Sequence, residues 1–87
     1  NHNTYRDDRV QSLSFVDEKG DAWSVGVFTE GAYEFDPEFN EVIRVTSGRL
    51  LINGEHYTSG SRKCHIEKGK KFRVIAERAT TYLCKYE

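Results

Sequence analysis

Apolar and polar positions alternate along most of this chain, and they do so in short runs. Val, Ile, Phe, Tyr, Thr and Trp fill the runs, and turn-forming pairs separate them. These pairs are Gly20-Asp21, Glu30-Gly31, Asp36-Pro37, Ser47-Gly48, Asn53-Gly54, Ser59-Gly60 and Lys68-Gly69. Alternation with a period of two is the mark of a half-buried strand. Nowhere does a stretch of helical length carry apolar residues three and four apart. The pattern predicts strands at residues 10–15, 22–28, 31–35, 41–47, 49–53, 55–58, 61–66, 71–76 and 80–86. Many short strands with frequent turns make an all-β sandwich or barrel. Asn53-Gly54 tolerates the two positive φ angles of a type I′ turn, so Arg49–Ile52 and Glu55–Thr58 are expected to form a tight hairpin. Pro37 cannot donate to a ladder and ends the strand before it. No repeat, linker or low-complexity stretch divides residues 1–87, so one domain is expected.

Alternation also assigns faces. Glu41 falls with Ile43 and Val45. Phe72, Val74 and Ala76 share a face and leave Arg73 and Ile75 on the other. Tyr82, Cys84 and Tyr86 line one side of the last strand. A small barrel can hold one ligand among its inward side chains. A carboxylate on an apolar face is therefore a candidate site group. The plainer alternative is a strand-end Glu41 that reaches solvent, since ionisable side chains avoid full burial.

Composition narrows the classes. At 87 residues the core is thin, and dimerisation is a common remedy at this size. The hydrophobic fraction of 37% and the aromatic fraction of 13% argue against disorder. The net charge of −1 points to neither nucleic acid nor an anionic membrane. The charge is uneven, however: residues 1–45 hold 4 basic and 10 acidic side chains, and residues 46–87 hold 9 basic and 4 acidic. Cys64 and Cys84 do not make a disulfide framework. No apolar run approaches the roughly 20 residues of a membrane helix. Residues 1–8 are polar and lack a signal-peptide core, so a cytoplasmic protein with reduced thiols is expected.

Four segments, taken in order and spacing, carry a family resemblance. They are Ser24-Val25-Gly26-Val27-Phe28 with Glu30-Gly31-Ala32-Tyr33-Glu34-Phe35, then Glu41-Val42-Ile43-Arg44-Val45-Thr46-Ser47-Gly48-Arg49-Leu50, then the Gly60-to-Ile66 strand with Phe72-Arg73-Val74, and last Tyr82-Leu83-Cys84-Lys85-Tyr86. The chain resembles the pyrimidine/purine nucleoside phosphorylases, small cupins of about this length, from Asn3 to Tyr86. The segment from Asn3-Thr4-Tyr5 to Leu13 matches less closely. The resemblance implies a single-domain cupin-type β-barrel, jelly-roll-like, working as a homodimer. It implies phosphorolysis, in which a nucleoside and inorganic phosphate give a free base and a pentose 1-phosphate. No organic cofactor is implied. The loops at 36–40 and 67–71 depart from the family pattern, and the second is longer and more basic.

Such chemistry needs cations for phosphate, a carboxylate to offset positive charge on the sugar and a group that assists the leaving base. Glu41 is the candidate for the sugar. Arg73, within the basic stretch of Arg62, Lys63, Lys68, Lys70 and Lys71, is the candidate for phosphate, although parity turns it away from Phe72. Tyr33 and Tyr82 are candidates for stacking on base or sugar, and His65 for the leaving base. Against each stands a structural reading: barrel core for the tyrosines, a solvated face for the basic stretch, a structural histidine, and a packed thiol for Cys84. His2, His56 and His65 lack metal-ligand spacing, and no metal is expected. A non-catalytic cupin binding a small sugar or nucleotide is the alternative function. A nucleic-acid-binding barrel is weaker, because the aromatics are dispersed and the net charge is −1.

Overall fold

A computed structural model of the chain describes the backbone of residues 2–5 and all of residues 10–87. The polar reading of residues 1–8 therefore lies largely outside the described residues, as does the His2 side chain. The described chain is all β. A six-stranded sheet has the order β1-β2-β3-β10-β5-β8, and a four-stranded sheet has the order β4-β9-β6-β7. The strands are β1 (His2–Tyr5), β2 (Val10–Val16), β3 (Ala22–Phe28), β4 (Gly31–Phe35), β5 (Glu41–Ser47), β6 (Arg49–Ile52), β7 (Glu55–Thr58), β8 (Cys64–Ile66), β9 (Phe72–Ala76) and β10 (Thr80–Tyr86). Every pairing is antiparallel. The strands form two sheets rather than one continuous ladder.

Alternation builds a single core between them. Val10, Phe28, Ile43, Val45, Tyr82 and Cys84 point inward from the larger sheet, and Tyr33, Leu50, Ile52, Tyr57, Phe72 and Val74 from the smaller. Asn53 (φ 48°) and Gly54 (φ 84°) form the expected turn, and β6 registers Ile52 against Glu55. The Asn53 side chain also accepts from the Arg73 backbone N–H at 3.0 Å, which ties the hairpin to β9.

β2 runs one residue longer than in the sequence reading, β9 starts one residue later, and three other differences have a physical reason. β1 is absent from that reading, because four residues without apolar alternation give no period; the strand exists by pairing its backbone with β2. β8 begins only at Cys64. Ser61 Oγ accepts from the Thr58 N–H at 2.8 Å and donates to the Thr58 carbonyl at 2.9 Å, so a local turn replaces the ladder there. β6 stops at Ile52, since Asn53 belongs to the turn.

β10 runs between β3 and β5, so its inward residues stand at the centre of the larger sheet. Gly26 on β3 lies between Ser12 and Tyr82 in the register. A Cβ there would come 2.2 Å from the Gln11 carbonyl oxygen and 2.8 Å from the Tyr82 hydroxyl. Glycine is required by that close approach, and it makes room for the tyrosine.

Candidate functional site

Between the sheets lies a cavity of about 240 Å³, open to solvent beside the loop at 36–39. Its wall is aromatic. The Phe28 ring lies 5.0 Å from Tyr82 and 5.9 Å from Phe35, and Phe35 lies 5.3 Å from Phe72. At the mouth, Phe39 meets Tyr86 edge-on at 6.4 Å. Asp36, Pro37 and Glu38 complete the rim. The loop at 67–71 does not line the cavity. It braces the rim: the Gly69 N–H donates to the Pro37 carbonyl at 3.0 Å, and the Lys68 N–H to Asn40 Oδ1 at 2.8 Å.

The polar groups of the wall come from strand neighbours. β10 registers Tyr86 against Glu41 and Cys84 against Ile43, which brings Cys84 beside the glutamate. Cys84 Sγ donates to Glu41 Oε1 at 3.3 Å. Tyr86 Oη and Ser24 Oγ share a hydrogen bond of 2.9 Å. Ser12, buried, faces the same space from β2.

Burial controls the charges here. Desolvation pushes the Glu41 carboxyl above its ordinary 4.5, and the Cys84 hydrogen bond pulls it partly back. Desolvation and then the Glu41 charge push the Cys84 thiol far above its usual range. Tyr86 is raised as well, first by burial, with its bond to Ser24 opposing. Thiol and phenol therefore stay neutral, and Glu41 is the most acidic group of this trio.

The structure brings Glu41 and Tyr82 together in this cavity. Tyr33 stands behind it, on the inner face of the smaller sheet. Its ring is 5.4 Å from Phe28, and its hydroxyl donates to the Thr29 carbonyl at 2.7 Å. His65 and Arg73 lie elsewhere, exposed on the outer faces of the larger and the smaller sheet. Arg73 registers opposite Glu34, and its position follows from the alternation that turns Phe72 inward. The basic stretch is dispersed rather than gathered: Arg62 pairs with Glu55 at 3.0 Å and Lys70 with Glu67 at 3.4 Å. Ser12 and Tyr86 are site groups the sequence reading did not single out, and Ser24 stands behind Tyr86 as its hydrogen-bond partner. Tyr86 shares parity with Tyr82 and Cys84, but only the strand register places the two serines. Among the described residues no Lys or Arg lines the cavity, and no three His, Cys, Asp or Glu side chains converge as metal ligands.

A wall of rings with the Glu41 carboxylate, the hydroxyls of Ser12, Tyr82 and Tyr86 and a thiol, rimmed by Asp36 and Glu38, suits a ligand with a flat apolar part and several hydroxyl groups. The family model described as pyrimidine/purine nucleoside phosphorylase matches residues 1–86. A pyrimidine/purine nucleoside phosphorylase of Pseudomonas putida is 34% identical over 90 residues, covering 97% of this chain and 94% of its own. One from Cellvibrio japonicus is 35% identical over 91 residues, covering 98% and 96%. A protein of unknown function from Vibrio parahaemolyticus has a crystal structure that superposes with a TM-score of 0.91 at 33% identity, covering 100% of this chain and 97% of the other. An RmlC-like cupin from Shewanella frigidimarina superposes at 0.76 with 10% identity, covering 99% and 81%, and shows likeness of fold alone.

Proposed function

This chain belongs to the pyrimidine/purine nucleoside phosphorylase family, and we propose that it splits purine and pyrimidine nucleosides with inorganic phosphate at the Glu41 cavity. The C1′–N bond breaks and a phosphate oxygen bonds to C1′. The departing base takes the proton that hydrogen phosphate brings. Free base and pentose 1-phosphate leave. The observation that carries this reading is the Glu41 carboxylate held in an aromatic, part-desolvated cavity. Positive charge grows on the sugar as the bond breaks, and a fixed carboxylate in a site of low polarity offsets it strongly. Ser12, Tyr82 and Tyr86 supply hydroxyls for those of the sugar. A cavity of about 240 Å³ is smaller than usual for drug-sized ligands, so it suits the pentose with the base left at the mouth. There Phe39 and Tyr86 offer ring surface without base-specific contacts, in keeping with tolerance of both base classes.

The two sheets are read as a cupin-type barrel, and the protein as a cytoplasmic homodimer. Two buried free thiols suit a reducing compartment. Leu13, Phe15 and Val25 are exposed on the outer face of the larger sheet, and this apolar surface supports the dimer. Arg73 and His65 would reach a nucleoside only from a neighbouring copy.

One observation favours a second reading. With no Lys or Arg among the described residues of its lining, the cavity also suits a non-catalytic cupin that holds a small sugar or nucleotide. Chromatography of uridine, inosine and adenosine incubated with the protein separates the two. Base released only when phosphate is present supports phosphorolysis. No base from folded protein, with or without phosphate, overturns it for these substrates and leaves the binding module.

A further inference from the structure

The outer face of the larger sheet carries a groove of about 310 Å³. Its floor is Val42 and Leu83, with Trp23 at one side. Arg44, Lys63, His65 and Lys85 surround this floor. The register explains the cluster. Val42 faces His65 across β5 and β8, and it faces Lys85 across β5 and β10. Lys63, the residue before β8, lines the groove with Arg44, the residue after Ile43, which pairs with Cys64. Adjacent strands lie about 4.8 Å apart, so Arg44, Lys63 and His65 can turn their nitrogen groups on one point.

Like charges set opposite one another destabilise a sheet, and nothing in the fold requires them here. The core lies on the other face, so any polar side chain would serve at these positions. Lys85 is occupied, with Asp21 at 3.6 Å and the Trp23 ring at 5.6 Å. Arg44, Lys63 and His65 have no ion pair among the described residues. Glu87 is the one carboxylate in the lining.

We propose that this groove is a second binding site, one that takes a phosphoryl group, whether from a small phosphate ester or from inorganic phosphate. A guanidinium and an ammonium make short, charge-assisted bonds to phosphate oxygens, and the imidazole adds a ring N–H. Trp23 and Leu83 give an apolar bed for the body of an ester. The site is distinct from the Glu41 cavity. Val42 and Arg44 point away from Glu41, Ile43 and Val45, and the sheet lies between. The assignment therefore stands whether or not the cavity performs phosphorolysis.

Trp23 is the only tryptophan of the chain, and its fluorescence reports on the groove. The intact protein is titrated with inorganic phosphate, adenosine 5′-monophosphate, adenosine and a single-stranded oligonucleotide. A saturable change with phosphate or the monophosphate is expected. It weakens about tenfold or more in Arg44→Ala and Lys63→Ala, as loss of a charged contact predicts, and persists in Glu41→Gln. Both groove substitutions are at exposed positions, and circular dichroism checks their folding. Tighter binding of the monophosphate assigns the site to esters, and equal binding assigns it to the free ion. The proposal is overturned by no saturable change up to about 10 mM, a range that covers even millimolar affinity. It is equally overturned by the same change with adenosine, by binding of the oligonucleotide alone, or by indifference to Arg44→Ala.

Discussion

Glu41 and Cys84 share a hydrogen bond in a part-desolvated wall, where burial first and the partner second shift the acidity of each. A carboxyl raised by burial holds its proton more tightly folded than unfolded. As pH rises above 4.5 the unfolded chain ionises first, so this group's contribution to stability falls. Glu41→Gln removes the burden. Its melting midpoint is expected to equal or exceed that of the parent at neutral pH, while base release drops by about 100-fold or more. Calorimetry and product chromatography read the two effects separately. If the ionised form works, activity is lost as pH falls through a limb lying above that of an ordinary glutamate. Cys84→Ala deletes the bond that lowers the carboxyl and moves that limb to higher pH. Cys84→Ser, a better donor, moves it down. A pH–rate profile of the three proteins checks both directions. The sequence made Glu41 and Tyr82 visible because alternation placed a carboxylate and a phenol on apolar faces. Parity already turned Arg73 away from Phe72, but it did not separate His65, chosen for its chemistry, from the residues that share the cavity. Parity within one strand cannot say which strands meet across a core.

Among elements, β2 and β3 approach so closely at Gly26 that no side chain fits between them. Gly26→Ala forces the strands apart or displaces the Tyr82 hydroxyl. It is expected to cost about 1–3 kcal/mol, as other core overpacking does, and a urea midpoint measures it. Because the obstacle includes the Gln11 backbone carbonyl, trimming Tyr82 to Phe does not restore the loss. Element existence was largely legible from the alternating pattern, and the Asn53-Gly54 hairpin was fixed by two residues. Strand order was not legible. The meeting of Glu41, Cys84 and Ser12 depends on β10 lying between β3 and β5, and that depends on pairing distant in sequence. β1 escaped notice because an edge strand held by backbone pairing needs no apolar period. The shortened β8 depends on one serine hydroxyl that competes with the ladder.

At the scale of the whole molecule, acidic and basic chemistry lie on opposite sides of one sheet. Asp36, Glu38 and Glu41 surround the inner cavity, and Arg44, Lys63, His65 and Lys85 the outer groove. The sequence registered this as two halves of opposite charge, but parity along β5 sets Glu41 and Arg44 on opposite faces, and the loop at 36–39 adds Asp36 and Glu38 to the inner side. The apolar surface beside the groove carries a further expectation. Val25→Glu, at a position 40% exposed, places a charge within it and should convert a dimer to a monomer without unfolding it. Light scattering after gel filtration tests this, and an unchanged mass would move the interface elsewhere. The central place of β10 reaches into how the molecule is made. A ribosome delivers β3 and β5 well before the strand that joins them. Until then each has one open edge facing the cell, the kind of template that recruits foreign strands. Pairing of such sequence-distant strands is slow as well. A nascent chain halted before Thr80 would carry both open edges and a core lacking Tyr82 and Cys84, so translation of β10 is also the step that seals those edges against aggregation.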